Sequence, residues 1–425
     1  MKKILAILFL AALVLTPVLA AVPEIQYSGT TDTAFRPTSA RISALGESGI
    51  ASAGRMDALF QNPAALAQKR FGVALPSFGL TVYNLQALLS DETDSQIIAD
   101  AMQDPSSLDD DQIVRLAQDM VENVGAGRNE FLTTDVTVGF ALGNLGLGVQ
   151  VQEKLHTIAN GSSNLANVYF VPEVNVGAVA ALGLRIINSP VLNLDVGASA
   201  TFVYKAYTQK IGASTMLSML SGDMDAVKNE ILWNTPTMAG WGVPVNLGVT
   251  LGLAENTIRI SAVAENINSV YHMKSYNAAG AAINDIAQQT VLEEPEGYVA
   301  EESTEFTITN PWSLTLGVAF VPYVPLLHPV VSADLVDMLD IVTGREEFEW
   351  QNLLLHLNAS VELNLLSMVA LRAGVNRGYM SVGVGVDLPL LGIDASYGWK
   401  EFGSVIGDKP VDSFTIRFYV GYDKI

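Results

Sequence analysis

Apolar residues repeatedly alternate with small or polar ones along most of the chain. In residues 131–142, Val138 lies on the apolar face of an extended strand and Thr137 on the opposite face. The same split recurs in residues 242–254 and 378–388. A period of two is typical of strands whose two faces meet different surroundings. The pattern therefore predicts an all-β protein.

Fourteen strand segments of this kind can be counted. An even number places both ends of the chain on the same side of a membrane, as in single-chain outer-membrane barrels. The predicted strands are residues 71–83, 131–142, 145–155, 168–184, 191–204, 242–254, 257–267, 312–321, 329–337, 352–364, 368–376, 378–388, 391–400 and 412–422.

The connections between these strands differ in length in a regular way. They are short after the even-numbered strands, as at residues 143–144 and 389–390, and mostly long after the odd-numbered ones, as at residues 84–130, 205–241 and 268–311. Outer-membrane barrels have short periplasmic turns and long extracellular loops. A soluble two-sheet sandwich would also alternate, but it does not require loops sorted by length. We predict a 14-stranded antiparallel transmembrane β-barrel.

The first twenty residues have a different character. Two lysines precede an apolar run that ends in Val18, Leu19 and Ala20, which is typical of a secretory signal peptide cleaved after Ala20. Beyond it, no apolar run reaches the roughly 18–20 residues of a membrane helix. The chain has no cysteine, which excludes disulfides and lipid attachment at a mature N-terminal cysteine. These features predict export to the outer membrane of a diderm bacterium.

Composition and charge narrow the choice of partners. Hydrophobic residues make up 49% of the chain, and the formal net charge is -21. This charge disfavours nucleic acid and adhesion to anionic headgroups. The acidic residues cluster at residues 91–100, 108–111 and 293–305, which we interpret as solvated loop surface, with divalent-ion binding as the alternative.

Charged residues on the polar strand faces are expected to point into the lumen. A charge on the lipid face costs about 2–4 kcal/mol near the midplane. Inside the barrel these residues can pair with one another, with a plug or with a permeant. The predicted lumen charges are Asp135, Glu173, Arg259, Arg372, Asp387 and Arg417.

The sequence offers little for catalysis. Its four histidines are His156, His272, His328 and His356, and none lies in a recognisable catalytic string. There is no phosphate-loop, dinucleotide or metal-ligand spacing. We predict a protein that is not an enzyme, with no catalytic residues, metal site or cofactor.

Residues 41–67 do not follow the strand pattern. They are rich in Gly, Ala and Ser, and Asn62 followed by Pro63 can start a short helix. An ordinary helix start is one interpretation, and a compact plug is the other. The positions that define the segment are Gly46, Gly49, Ala51, Ala53, Gly54, Asp57, Ala58, Asn62, Pro63, Ala64 and Leu66.

With these residues the segment resembles the N-terminal signature of the FadL/TodX family of outer-membrane transporters for long-chain fatty acids and other hydrophobic compounds. The resemblance implies a hatch inside a fourteen-stranded barrel, in agreement with the strand count. The predicted organisation is a signal peptide over residues 1–20, a plug or hatch over 21–70 and a barrel over 71–425. The plug positions carried over are Gly46, Gly49, Gly54, Asp57, Asn62, Pro63 and Ala64.

Two long loops hold apolar residues at helical spacing. Residues 109–124 predict a helix in the first loop, and the loop after the fifth strand is rich in Met and Leu. Two such helices would form an apolar groove above the barrel mouth, or pack on each other as a lid. The candidate ligand-binding residues are Ile113, Leu116, Met120, Met216, Leu217 and Leu220.

The predicted function is passive uptake of hydrophobic small molecules, such as long-chain fatty acids, by a monomer surrounded by outer-membrane lipids. One alternative is a secretion-associated barrel, a shuttle or scaffold that binds a protein partner at its loops. The other is a general diffusion porin, which would need an open lumen.

Overall fold

A computed structural model gives the fold of the chain. The described part of the chain comprises residues 35, 39–68, 71–90, 92–103, 109, 111–112, 115, 127–159, 168–209, 211–212, 232–299, 303–343, 350–401, 407 and 410–423. The predicted signal peptide lies outside these residues and stays a prediction.

Within the described residues, the strands form one closed antiparallel wall of fourteen. The first strand pairs with the last, with Gly72 opposite Asp423 and Tyr83 opposite Ser413. The strands are β1 (Phe71–Tyr83), β2 (Gly127–Leu142), β3 (Leu145–Ala159), β4 (Val168–Asn188), β5 (Leu192–Thr208 and Ile211–Gly212), β6 (Thr237–Gly242 and Val245–Leu253), β7 (Ile258–Ile267 and Val270–Tyr276), β8 (Thr304–Thr309 and Ser313–Phe320), β9 (Pro329–Leu335), β10 (Leu357–Leu365), β11 (Val369–Asn376), β12 (Tyr379–Asp387), β13 (Leu391–Glu401) and β14 (Pro410–Asp423). The predicted barrel is confirmed.

The outer surface of the wall is apolar. Val138, Phe140 and Val384 are exposed there, whereas Thr137 and Ser381 on the alternate face are buried. A closed apolar band of this kind is stable in lipid and not in water. The protein is therefore a transmembrane barrel.

Exposed aromatic rings lie on the outer face of neighbouring strands. Trp241 stacks on Phe202 with centroids 6.0 Å apart, and it lies 5.1 Å from the ring of His272. Trp312, which the sequence placed at a strand end, is also exposed. Such rings favour the membrane–water interface.

The segment before β1 lies in the lumen. It contains helix α1 (Ala40–Ala44) and two 3-10 helices, Arg55–Leu59 and Pro63–Gln68. Ser39 caps α1, because its hydroxyl accepts a hydrogen bond from the amide of Ile42 at 3.1 Å. The segment is compact, with Ala44, Leu59 and Ala64 fully buried.

The connections between strands contain short helices. These are α2 (Leu85–Ser90), α3 (Glu92–Gln103), α4 (Ala279–Ala287), α5 (Leu339–Val342) and α6 (Trp350–His356). None of the helices in the described part of the chain is long and apolar enough to cross a membrane. The helix expected over 109–124 lies largely outside the described residues, and the acidic stretch 91–100, interpreted as loop surface, belongs mostly to α3.

Strands β6, β7 and β8 extend further than the sequence indicated. Residues 237–241, 270–276 and 304–309 were assigned to loops, yet all three belong to strands. Their alternation is reversed: Met273 is buried in the barrel and Lys274 faces outward. Outside the lipid band an outward face can be polar, so the pattern typical of a membrane strand is missing. The sequence also predicted a strand from residue 352, where the chain instead forms α6 up to His356.

Candidate functional site

The plug contacts the barrel wall where the wall has no side chains. A Cβ atom at Gly374 of β11 would collide with the backbone of Leu45, and one at Gly197 of β5 would collide with Pro63 and Ala64. Gly46 adopts φ +61°, which favours glycine, and its Cα faces the backbone of Val375. Glycines on opposite sides of the barrel thus let the plug backbone approach the wall closely.

Asn62 joins two parts of the plug to the wall. Its amide nitrogen donates to the carbonyl oxygen of Ile50 at 2.8 Å and to the hydroxyl of Thr250 at 3.1 Å. Its side-chain oxygen accepts from the amide of Ala64 at 3.0 Å. Asn62 is fully buried, so each of these bonds replaces one with water.

We expect Asn62→Ala to lower the free energy of plug unfolding by about 1–3 kcal/mol, because buried partners lose their hydrogen bonds. Protease cleavage within residues 39–68 would measure the change. Asn144→Ala in a short turn is the matched control and should leave the cleavage rate unchanged. Equal rates for both variants would contradict this role of Asn62.

Asp334 of β9 binds the plug backbone. Its carboxylate accepts from the amide of Gly49 at 2.5 Å and from that of Ile50 at 3.1 Å. Nearby, the hydroxyl of Ser48 donates to Ser360 at 2.6 Å. The two bonds to Asp334 are charge-assisted, and such bonds are stronger than neutral ones such as that of Ser48. Together these bonds fix the middle of the plug on β9 and β10.

A chain of alternating charges crosses from the plug into the wall. Arg41 binds Asp57 of the plug at 2.8 Å and Glu362 of β10 at 2.7 Å. Glu362 also accepts from Arg372 of β11 at 2.9 Å, and Arg372 in turn pairs with Asp394 of β13. All five side chains are buried or nearly so. We call these five residues the ion chain.

A small cavity lies between the plug and the wall. The cavity, of about 40 Å³, is lined by plug residues and by strands β1, β13 and β14. Its walls carry charge, with Arg41, Asp57, Asp394 and Arg417 among its lining residues. A polar space of this size suits water, not a hydrophobic chain.

The predicted lumen charges lie in several places. Arg372 belongs to the ion chain; Glu173 lies 3.3 Å from Lys205 and 3.4 Å from His156; and Asp135 is buried.

The other three predicted lumen charges each make a hydrogen bond. Arg417 donates to Ser77, and Asp387 accepts from Tyr419. Arg259 donates to the carbonyl oxygen of Asn256 beside a short turn, at 3.2 Å.

An apolar cluster lines the lumen at the upper ends of β5 to β8. The sequence did not reveal it, although the reversed alternation of residues 270–276 is a signal that could have done so. The ring of Phe35, from the N-terminal segment, packs there against the position of Gly177. The cluster, which we call the lumen apolar cluster, consists of Phe35, Val203, Tyr207, Met238, Tyr271, Met273 and Ile308.

Charged groups border this cluster on one side. The ammonium group of Lys205 lies 5.9 Å from the centroid of the Tyr271 ring. Lys205 also pairs with Glu173, which accepts a hydrogen bond from Asn175 at 2.7 Å. An apolar surface and fixed charges therefore meet within the lumen.

The candidate loop residues Ile113, Leu116, Met120, Met216, Leu217 and Leu220 lie outside the described residues and stay predictions. Their described neighbours form a packed cluster, in which Trp233 covers Gly280 of α4 and contacts Tyr298 at 4.9 Å. Leu155 of β3 and Phe170 of β4 also belong to this cluster, and both side chains are on the outward face of their strands. At least this part of the loops is closely packed.

No protein-family model and no curated protein matches the sequence. Similar solved structures include the toluene transporter TodX of Pseudomonas putida, with 12% identity, a TM-score of 0.43 and coverage of 92% of this chain and 98% of that one. A Pseudomonas aeruginosa FadL homologue gives 11% identity, a TM-score of 0.39 and coverage of 88% and 98%. The translocator domain of the autotransporter NalP of Neisseria meningitidis has 9% identity and a TM-score of 0.31, with coverage of 83% of this chain and 87% of that one.

These similarities are low, and the contacts within this barrel define its class. The protein is a fourteen-stranded transmembrane β-barrel of the outer-membrane type, with an N-terminal plug bound in its lumen. This architecture agrees with the one that the resemblance of residues 41–67 implied.

Proposed function

We propose that this barrel admits hydrophobic or amphipathic small molecules, such as long-chain fatty acids, passively across the outer membrane. The signal peptide over residues 1–20 would direct its export, and no catalytic step is involved. The observation that carries the proposal is the lumen apolar cluster. The interior of an outer-membrane barrel is normally polar, so a buried apolar cluster there suits an apolar ligand, which would reach it by displacing the ring of Phe35.

The chemistry of the cluster suits varied hydrophobic ligands. Met238 and Met273 have flexible, polarisable side chains that adapt to different shapes. Burying an alkyl chain contributes about 0.8 kcal/mol per methylene. A ligand that takes the place of Phe35 in this cluster should therefore bind with a micromolar dissociation constant or tighter, at roughly 8 kcal/mol.

The plug argues against a general diffusion porin. It is bound to strands on opposite sides of the barrel, through Gly197 and Gly374. A porin requires an open aqueous lumen. A ligand that reaches the lumen apolar cluster from the loops would instead meet an interior that excludes bulk water.

The long loops are the proposed place of first contact. Ile113, Leu116 and Met120 in one loop, and Met216, Leu217 and Leu220 in the other, would offer an apolar groove at the mouth. The ligand would then pass from this groove to the lumen apolar cluster. The loop groove and the lumen apolar cluster can therefore be tested with separate variants.

Titration with a fluorescent fatty acid tests both sites. We expect Met273→Gln to weaken equilibrium binding about tenfold, because an amide is desolvated in an apolar pocket. Leu116→Asp with Leu220→Asp should slow association by removing the loop groove. The matched control is Met380→Gln on the outer wall, where the side chain is exposed.

The outcomes separate the alternatives. If the parent protein binds no hydrophobic probe, the uptake proposal is wrong, and a secretion-associated barrel becomes the better interpretation. Under that interpretation, the barrel would copurify with a stable protein partner. If Met273→Gln binds as tightly as the folded parent, the lumen apolar cluster is not the site.

A further inference from the structure

Three neighbouring turns at the short-turn end of the barrel expose apolar side chains. They are residues 321–328 between β8 and β9, 365–368 between β10 and β11, and 388–391 between β12 and β13. None of the three contains an acidic or basic residue other than His328. Because short turns are periplasmic in outer-membrane barrels, this rim faces the periplasm.

The turns form one continuous surface. The amide of Leu366 donates to the carbonyl oxygen of Leu326 at 2.8 Å, which joins the first turn to the second. The amide of Asp387 donates to the carbonyl oxygen of Met368 at 2.7 Å, which joins the second turn to the third. We call this surface the rim patch; its main exposed residues are Tyr323, Leu326, Leu366, Met368, Leu388 and Leu390.

The exposure of these side chains is large. Tyr323 is 83% exposed and Leu390 is 67% exposed. Other turns of the same rim are more polar, with Gly143 and Asn144 after β2, and Glu255 and Asn256 after β6. The turn after β4 is mixed, since the exposed Val191 lies close to Ser189. The apolar character is thus strongest on the β8 to β13 side.

The rim patch is continuous with the lipid-facing wall. Leu391 and Ile393 lead from it along β13, and Val386 and Val384 lead from it along β12; all are exposed apolar residues of the outer surface. Among the described residues, no charged side chain interrupts the outer surface between the wall and the rim patch. An apolar surface of this kind is expected to contact lipid along its whole length.

The thickness of the membrane also indicates that the rim patch contacts lipid. Trp312 marks the upper aromatic belt, and Phe320 at the lower end of β8 is eight residue steps further along the strand. At about 3.3 Å per residue and a tilt of about 40°, that is roughly 20 Å. The apolar band of such barrels is about 25 Å tall. The remaining distance reaches the turn that holds Tyr323.

We infer that the rim patch is a lipid-binding surface, inserted at the boundary between headgroups and acyl chains of the periplasmic leaflet. Tyr323 and the prolines beside it suit this boundary, where an amphipathic ring meets both lipid and water. The barrel is therefore anchored more deeply on the β8 to β13 side. This inference is independent of what the barrel transports.

The absence of native cysteine makes a site-specific test direct. Leu326→Cys, Leu366→Cys and Leu390→Cys would each be labelled with an environment-sensitive nitrobenzoxadiazole dye and reconstituted in phosphatidylcholine vesicles. Asn144→Cys and Glu255→Cys on the polar turns are the matched controls. Heat-modifiable migration on gels would confirm that every variant is folded.

We expect quenching by lipid carrying a nitroxide near the headgroup to be at least about two-fold stronger at the three patch sites than at the controls. Iodide in the water should show the opposite order. If the patch sites are quenched by iodide as strongly as the controls, the patch lies in water and the inference is overturned. A soluble protein would then be the better candidate for its partner.

Discussion

Deletion of residues 24–68 is expected to raise the conductance of the barrel many-fold. Fourteen strands about 4.8 Å apart and tilted by about 40° enclose a wall roughly 28 Å across, which strand side chains alone do not fill. The plug occupies this space and is held by Asn62, Asp334 and the ion chain. Single-channel recording in planar bilayers would measure the change.

The matched control is deletion of residues 24–34 alone, which leaves the described plug in place. Its conductance should equal that of the intact protein. Both variants must show the heat-modifiable migration of a folded barrel. Equal conductance of the two deletions, when both are folded, would show that residues 39–68 do not close the lumen.

Replacement of Arg41 by Met is expected to loosen the plug strongly. Removing one member of a buried ion pair costs about 3–5 kcal/mol, because the partner charge remains buried. Here two carboxylates, Asp57 and Glu362, would lose their cation. Amide hydrogen exchange at Leu45 and Glu47, which are bonded within the plug, should accelerate at least about 100-fold.

Two further variants make this test specific. Glu47→Gln breaks the half-exposed pair with Lys400 and should cost less than about 1 kcal/mol. Arg41→Met combined with Glu362→Met removes both charges of the main contact and should recover part of the loss. If Arg41→Met exchanges no faster than Glu47→Gln, the ion chain does not hold the plug.

The fold was predictable from the sequence wherever lipid imposes a pattern. In β12, for example, Val382, Val384 and Val386 are exposed and Ser381 is buried, as the alternation indicated. The lengths of the connections then fixed the order of turns and loops. Lipid tolerates no charge and no unpaired backbone, so this signal is strong in each strand.

The upper parts of β6 to β8 were missed because that constraint ends at the membrane boundary. There the outward residues His272 and Lys274 meet water, and Tyr271 and Met273 turn inward. The lumen apolar cluster is built from these parts. These strand parts could be recognised from the sequence only if a strand is allowed to have its apolar face toward the lumen and its polar face outward.

The plug positions were visible in the sequence, but their partners were not. Asn62 and Asp57 were identified as plug residues, whereas Arg41 was not singled out. The contact of Arg41 with Glu362 spans 321 residues, and that of Asn62 with Thr250 spans 188. Local spacing carries no information about contacts at such separations.

These long separations bear on the order of assembly. The plug leads directly into β1, whose pairing with β14 closes the wall, and it contacts glycines of β5 and β11 on different sides of that wall. Its binding sites do not exist until most of the chain has been inserted, and contacts this distant form slowly. We therefore expect the N-terminal segment to dock only after β5 and β11 are in place, and its docking to be coupled to the pairing of β1 with β14 as the last step of barrel assembly.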